Sequence, residues 1–124
     1  MVGEERPWGR WLILEEGPRY KVKRIEVEVG QRLSLQYHHH RSEHWVVVEG
    51  KATVRVGEQT LLLRPGESIF VPQTAIHRIE NWGSERLVVI EIQTGAYLGE
   101  DDIVRLQDDY GRLMTDGVTV ESTR

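Results

Sequence analysis

Short runs of alternating apolar and polar residues, cut repeatedly by glycine and proline, govern what this chain can become. Turn signals fall at Gly17-Pro18, Gly30, Gly50, Gly57-Glu58, Arg64-Pro65-Gly66-Glu67 and Trp82-Gly83-Ser84-Glu85, and the segments between them repeat with a period of two. Helical periodicity is scarce before residue 100, so the pattern describes roughly nine strands and an all-β fold. At 124 residues the chain has room for one core. We expect one domain over 1–124, with an N-terminal arm (about 1–12), a core (about 13–95) and a C-terminal extension (about 96–124) carrying a short helical segment. In the arm, Trp8 and Trp11 need something to cover, at a barrel end or on a partner.

Strand alternation assigns the faces. From Arg19 to Val29 one side carries Lys21, Lys23, Ile25, Val27 and Val29, a mostly apolar set that should face inward and take both lysines with it. Such lysines either snorkel to the rim or meet an anion. From Arg32 to His40 the pattern inverts. Gln36, His38 and His40 share one face, while Leu33, Leu35 and Tyr37 share the other and are expected to meet another sheet or a subunit. From Arg86 to Thr94, Leu87, Val89, Glu91 and Gln93 oppose Val88, Ile90 and Ile92, so Glu91 and Gln93 face either solvent or a cavity.

Sixteen basic against twenty acidic residues leave a net charge of −4, which offers no general attraction to nucleic acid or to an anionic membrane. Any phosphate must therefore be met by a local basic cluster. There is no cysteine, hence no disulfide and no thiolate metal site. With no signal-like start and no long apolar run, a cytoplasmic location is expected.

Four of the five histidines lie within residues 38–44. A turn at Arg41-Ser42 would bring Glu43 back beside His38. One carboxylate, one or two imidazoles and an amide suit a single divalent ion such as Zn, Mn, Co, Ni or Fe.

The spacing Gly30-x5-Gln36-x-His38-x4-Glu43-x6-Gly50 is similar to the first cupin motif, with glutamine in place of its first histidine. Gly66-x5-Pro72, Thr74 where a glycine is usual, His77 and Asn81 resemble the second. Arg6-Pro7-Trp8-Gly9, Tyr20 to Ile25, Leu33 to Trp45 and Tyr97 to Ile103 resemble the type II mannose-6-phosphate isomerase domain. That domain often forms the C-terminal half of an enzyme whose N-terminal half is mannose-1-phosphate guanylyltransferase. Leu33-Ser34-Leu35-Gln36-Tyr37-His38 also resembles the zinc-binding stretch of type I mannose-6-phosphate isomerases, where a Gln-x-His pair supplies ligands.

These resemblances imply a cupin double-stranded β-helix, or jelly roll, with one divalent metal on Gln36, His38, Glu43 and His77. The implied activity interconverts mannose 6-phosphate and fructose 6-phosphate, feeding GDP-mannose synthesis. His40, Glu91 and Lys23 are the candidates for proton transfer. Lys21 and Lys23, or alternatively Arg41, are the candidates for binding the phosphate. A homodimer is expected. The alternatives are a non-catalytic cupin that binds a sugar phosphate or sugar nucleotide, and another metal-dependent cupin enzyme.

Overall fold

The computed structural model describes residues 2–111 and the backbone of two short strands beyond them. Thirteen strands follow in order: β1 (Gly3–Arg6), β2 (Gly9–Glu16), β3 (Tyr20–Val27), β4 (Leu35–Tyr37), β5 (Arg41–Glu49), β6 (Ala52–Val56), β7 (Gln59–Leu63), β8 (Ser68–Val71), β9 (His77–Glu80), β10 (Leu87–Gly95), β11 (Val104–Gln107), β12 (Leu113–Thr115) and β13 (Val118–Val120). Their antiparallel pairing makes a six-stranded sheet, β1-β2-β3-β10-β5-β8, a five-stranded sheet, β11-β4-β9-β6-β7, and the hairpin β12-β13. This is the expected cupin jelly roll.

Cross-strand register places the site. On β3, β10 and β5 the same inward face reads Ile25–Val89–Val47, then Lys23–Glu91–Trp45, then Lys21–Gln93–Glu43. One end of the barrel is therefore an apolar core, joined by Trp8, Trp11, Val54 and Ile79, and the other end is lined with buried polar groups. Gly95 sits where β10 crosses the start of β5, and a Cβ there would lie 2.2 Å from the carbonyl oxygen of His40.

Several expectations need correction. The short C-terminal helix is absent from the described residues. Instead β11 pairs with β4, Val104 opposite Tyr37, because Ile103 and Val104 are β-branched and suit an edge strand. Residues 121–124, at the end of the expected extension, lie outside the described residues. The N-terminal residues add to the same barrel, with β1 and β2 extending the larger sheet and Trp8 and Trp11 buried in the core. Val29 lies beyond β3 and is exposed. Leu33 does not face outward with Leu35. Before β4 the chain is tied by an isolated bridge at Arg32 and by the Leu33 amide on the Ile79 carbonyl, which breaks the alternation and packs Leu33 against the core. Among the described residues no helix is long and apolar enough to cross a membrane.

Two polar residues pin the frame. Asn81 is wholly buried; its amide donates to the carbonyls of Val27 at 2.8 Å and Glu85 at 3.0 Å, and its oxygen accepts the Gly83 amide at 3.0 Å. Glu26, on the outer face of β3, is covered by Arg10, Arg24 and Arg86 at 2.8, 2.7 and 3.4 Å. Its hydrogen bond with Arg10, helped by Arg24, outweighs burial and lowers its pKa to about 2.

A depressed carboxyl pKa gives stability that is present above the unfolded value and lost as pH falls through the folded one. Glu26→Gln is therefore expected to be less stable than wild type at neutral pH, with the gap closing between 4.5 and about 2. Urea melts across that range check this, and a pH-independent gap would contradict it. Thr74 is exposed and holds φ at 70°, a conformation costing an L-residue roughly 1–2 kcal/mol. Glycine returns roughly 0.5–1 kcal/mol of that as lost chain entropy. Thr74→Gly should therefore stabilise by up to about 1 kcal/mol, read as a higher midpoint of thermal unfolding.

Candidate metal centre

The end of β4, the start of β5 and the start of β9 bring together His38, Glu43 and His77, each offering one ligand atom within 4.8 Å of the others. All three are buried. His38 Nε2 lies 3.1 Å from Glu43 Oε2, and His77 Nε2 lies 3.8 Å from Glu43 Oε1. The far side of each ring is fixed by backbone. His38 Nδ1–H donates to the Asp102 carbonyl at 2.5 Å and His77 Nδ1–H to the Ala75 carbonyl at 2.9 Å. With Nδ1 taken up on both rings, Nε2 is the atom turned toward Glu43 and the one available to a metal.

Burial lowers the His77 pKa and favours the neutral ring. Burial opposes ionisation of Glu43 too, but the hydrogen bond with His38 and the charges of His77 and Arg41 overcome it and hold its carboxyl well below the usual range. Gln36 stands directly across from His77 in the β4–β9 pairing. Its amide nitrogen donates to Ser34 Oγ at 2.8 Å, so its oxygen is what it can offer a cation. Two neutral imidazoles, a carboxylate and an amide oxygen fit a borderline divalent ion.

The other expected residues separate into two groups. Glu91 faces inward, which settles the choice between solvent and cavity. Trp45 Nε1 bridges it to the metal centre, donating to Glu43 Oε1 at 2.9 Å and Glu91 Oε2 at 3.2 Å, while Gln93 donates to Glu91 Oε1 at 2.5 Å. Burial first, then the neighbouring Glu43 carboxylate, raise the Glu91 pKa to about 8. Arg41 is buried with Nε 2.9 Å from Glu43 Oε2 and Nη2 3.2 Å from His38 Nε2. Its Nη1 has no hydrogen-bond partner. Lys23 lies over the Trp11 ring, 3.9 Å from its centroid, and Lys21 donates to the Leu98 carbonyl at 2.9 Å.

Glu43, Arg41, Glu91, Lys23, Gln36 and His77 all line one cavity of about 70 Å³. His40 stands apart, exposed, its ring meeting Tyr97 edge-on at 6.1 Å.

Glu100 and Asp102 were not among the expected site residues. Asp102 caps two backbone amides, His39 N at 3.0 Å and His40 N at 2.9 Å, through its two carboxylate oxygens. Side chain and carbonyl of one residue thus fix both the turn after His38 and the His38 ring. The separation in sequence leaves no local signal for this.

Partners behind a ligating histidine commonly carry ten- to hundredfold of metal affinity. Asp102→Ala keeps that carbonyl and releases the turn that positions it, so it is expected to weaken zinc or cobalt binding by up to about tenfold, with His77→Ala weakening it more. Titration against a competing chromogenic chelator checks this, and wild-type affinity in Asp102→Ala would contradict it.

Residues 3–108 match the protein family described as Mannose-6-phosphate isomerase C-terminal. Xanthan biosynthesis protein XanB of Xanthomonas campestris pv. campestris is 53% identical over 107 residues, 86% of this chain and 23% of that protein. Mannose-1-phosphate guanylyltransferase ManC of Salmonella typhimurium is 51% identical over 108 residues, 87% of this chain and 22% of that protein. The chain thus spans less than a quarter of the length of these relatives. Among solved structures, the Cnp3 cupin domain of Schizosaccharomyces pombe superposes with a TM-score of 0.66 at 20% identity, covering 69% of this chain and 64% of that one. With a family match over most of its length and a cupin architecture, the chain belongs to the mannose-6-phosphate isomerase C-terminal family.

Proposed function

We propose that this domain interconverts mannose 6-phosphate and fructose 6-phosphate with one divalent metal. The observation that carries the reading is a buried carboxyl, Glu91, joined through one indole to Glu43 inside a cavity also lined by Arg41 and Lys23. Family membership supplies the substrate class.

The reaction moves a proton from C2 of the aldose to C1 of the ketose through a cis-enediolate, while the proton on the C2 oxygen passes to the C1 oxygen. A divalent ion held by Gln36, His38, Glu43 and His77 would supply positive charge against the developing enediolate. Glu91 takes the C2 proton and returns it to C1. It is preferred over His40, which is exposed, and over Lys23, whose ammonium is engaged by Glu100 at 2.6 Å. Arg41 belongs at the reacting end rather than at the phosphate, because two of its nitrogens already lie on His38 and Glu43 and the third is left to donate to a sugar oxygen.

A coupled assay for fructose 6-phosphate on zinc- or cobalt-loaded protein tests the reading. Turnover of mannose 6-phosphate is expected, and Glu91→Gln should cut kcat by about 10²–10⁴ while metal content stays at the wild-type level. Binding of mannose 6-phosphate without turnover would instead favour a non-catalytic binding domain, and an absence of both would end the proposal.

A further inference from the structure

Lys21 and Lys23 are successive inward positions on β3, and both ammonium groups converge on a single carboxylate oxygen. Glu100 Oε2 lies 2.6 Å from Lys23 Nζ and 3.5 Å from Lys21 Nζ. Burial is unequal: the lysine side chains are 10% and 4% exposed, the glutamate 39%. Two desolvated cations therefore share one anion that is itself on the edge of solvent. A carboxylate contributes one negative charge and reaches them with one oxygen. A phosphate monoester brings up to two charges and three terminal oxygens, so it satisfies the pair better.

The position suits the far end of a sugar phosphate. Lys21 stands in the same cross-strand row as Glu43, two strands away through Gln93, which is about 10 Å at the usual strand spacing. Lys23 is braced over Trp11, so its ammonium stays in place when its partner changes. Glu100 is carried by the turn that Asp102 ties to the His39 and His40 amides, and the Asp102 amide closes that turn on the Gly99 carbonyl at 3.1 Å. Rotation of one half-exposed side chain is enough to clear the lysines, with the turn and the metal centre left as they are.

We infer that Lys21 and Lys23 form a phosphate seat and that Glu100 is its displaceable guard, an internal carboxylate that holds the lysines and yields to the incoming phosphate group. The name of the sugar phosphate rests on the function proposed above; the seat and its guard do not. Glu100 then sets selectivity. An unphosphorylated sugar cannot displace it, and a phosphorylated one binds against its competition.

Calorimetric titration of the zinc-loaded protein with inorganic phosphate, mannose 6-phosphate and mannose tests the inference in wild type, Glu100→Gln and the double variant Lys23→Gln/Glu100→Gln. The single variant keeps the shape of the guard and removes its charge, so it should bind phosphate and mannose 6-phosphate about tenfold tighter, leaving mannose and zinc affinity at wild-type values. The double variant, which leaves Lys21 with the Leu98 carbonyl as its partner, should lose that gain. Glu100→Gln no tighter than wild type for phosphate, or equally tighter for mannose, overturns the guard. A gain for mannose 6-phosphate without a gain for free phosphate also overturns the seat as drawn, since it would place the effect on the sugar. The isomerase assay is independent: tighter phosphate binding in a protein that turns over no mannose 6-phosphate leaves the seat standing and removes the activity, while turnover with an inert Glu100 does the reverse.

Discussion

The mouth of this barrel depends on a carboxylate that water does not solvate. Glu43 is 2% exposed, and in a protein interior an ionised carboxylate is tolerable only when donors and positive charge surround it. The Trp45 indole and the Arg41 guanidinium donate to it, and the Nε2 edges of His38 and His77 close around it. Each has its orientation set by something else in the fold. The histidines are turned by backbone carbonyls of Asp102 and Ala75, and Trp45 is packed within the core cluster. Burial and then the ionised Glu43 beside it raise the pKa of Glu91 to about 8, so that Glu91, once ionised, is a stronger base than an exposed carboxylate.

The same three strands that carry this polar cluster carry the apolar core. Along β3, β10 and β5 the inward face changes from Val and Ile to Lys, Glu and Gln within a few residues. The core end supplies the burial that stabilises the sheet, and the other end is held rigidly because it is continuous with it. Glu26 shows that the outer face of β3 follows the same rule. It too is a buried acid, and it is tolerated because three arginines lie across it.

Period-two reading of the sequence was enough for most strands from β3 to β10 and for the inward face of Lys21 and Lys23, because alternation is a local property; His77 was joined to His38 and Glu43 by the cupin resemblance. It could not decide where Glu91 and Gln93 point. A strand with Val and Ile on both faces has two sides that can each be buried, and only the pairing of β10 between β3 and β5 distinguishes them. Leu33 was misread because alternation assumes a regular strand, while the chain there is held by an isolated bridge. Ile103 to Gln107 was misread because a short segment among acidic residues carries too few turns for helix and strand periods to differ. Asp102 and Glu100 were invisible for another reason. Their partners are 62 to 79 residues away, and nothing in their own surroundings marks them.

The place of β10 bears on how such a chain acquires its structure. It is the last of the long strands to be synthesised, yet it lies between β3 and β5. Until residue 95 is available the larger sheet exists only as two unjoined pieces, each with an open hydrogen-bonding edge along its longest strand. Closing them requires contacts across more than sixty residues on one side and about forty on the other, an arrangement that folds slowly and leaves nascent chains open to mispairing. His38 and His77 precede that closure, but Glu91 and Lys23 are brought face to face only when β10 inserts. Completion of the sheet and assembly of the cavity are consequently a single event, and a chain interrupted before β10 has neither.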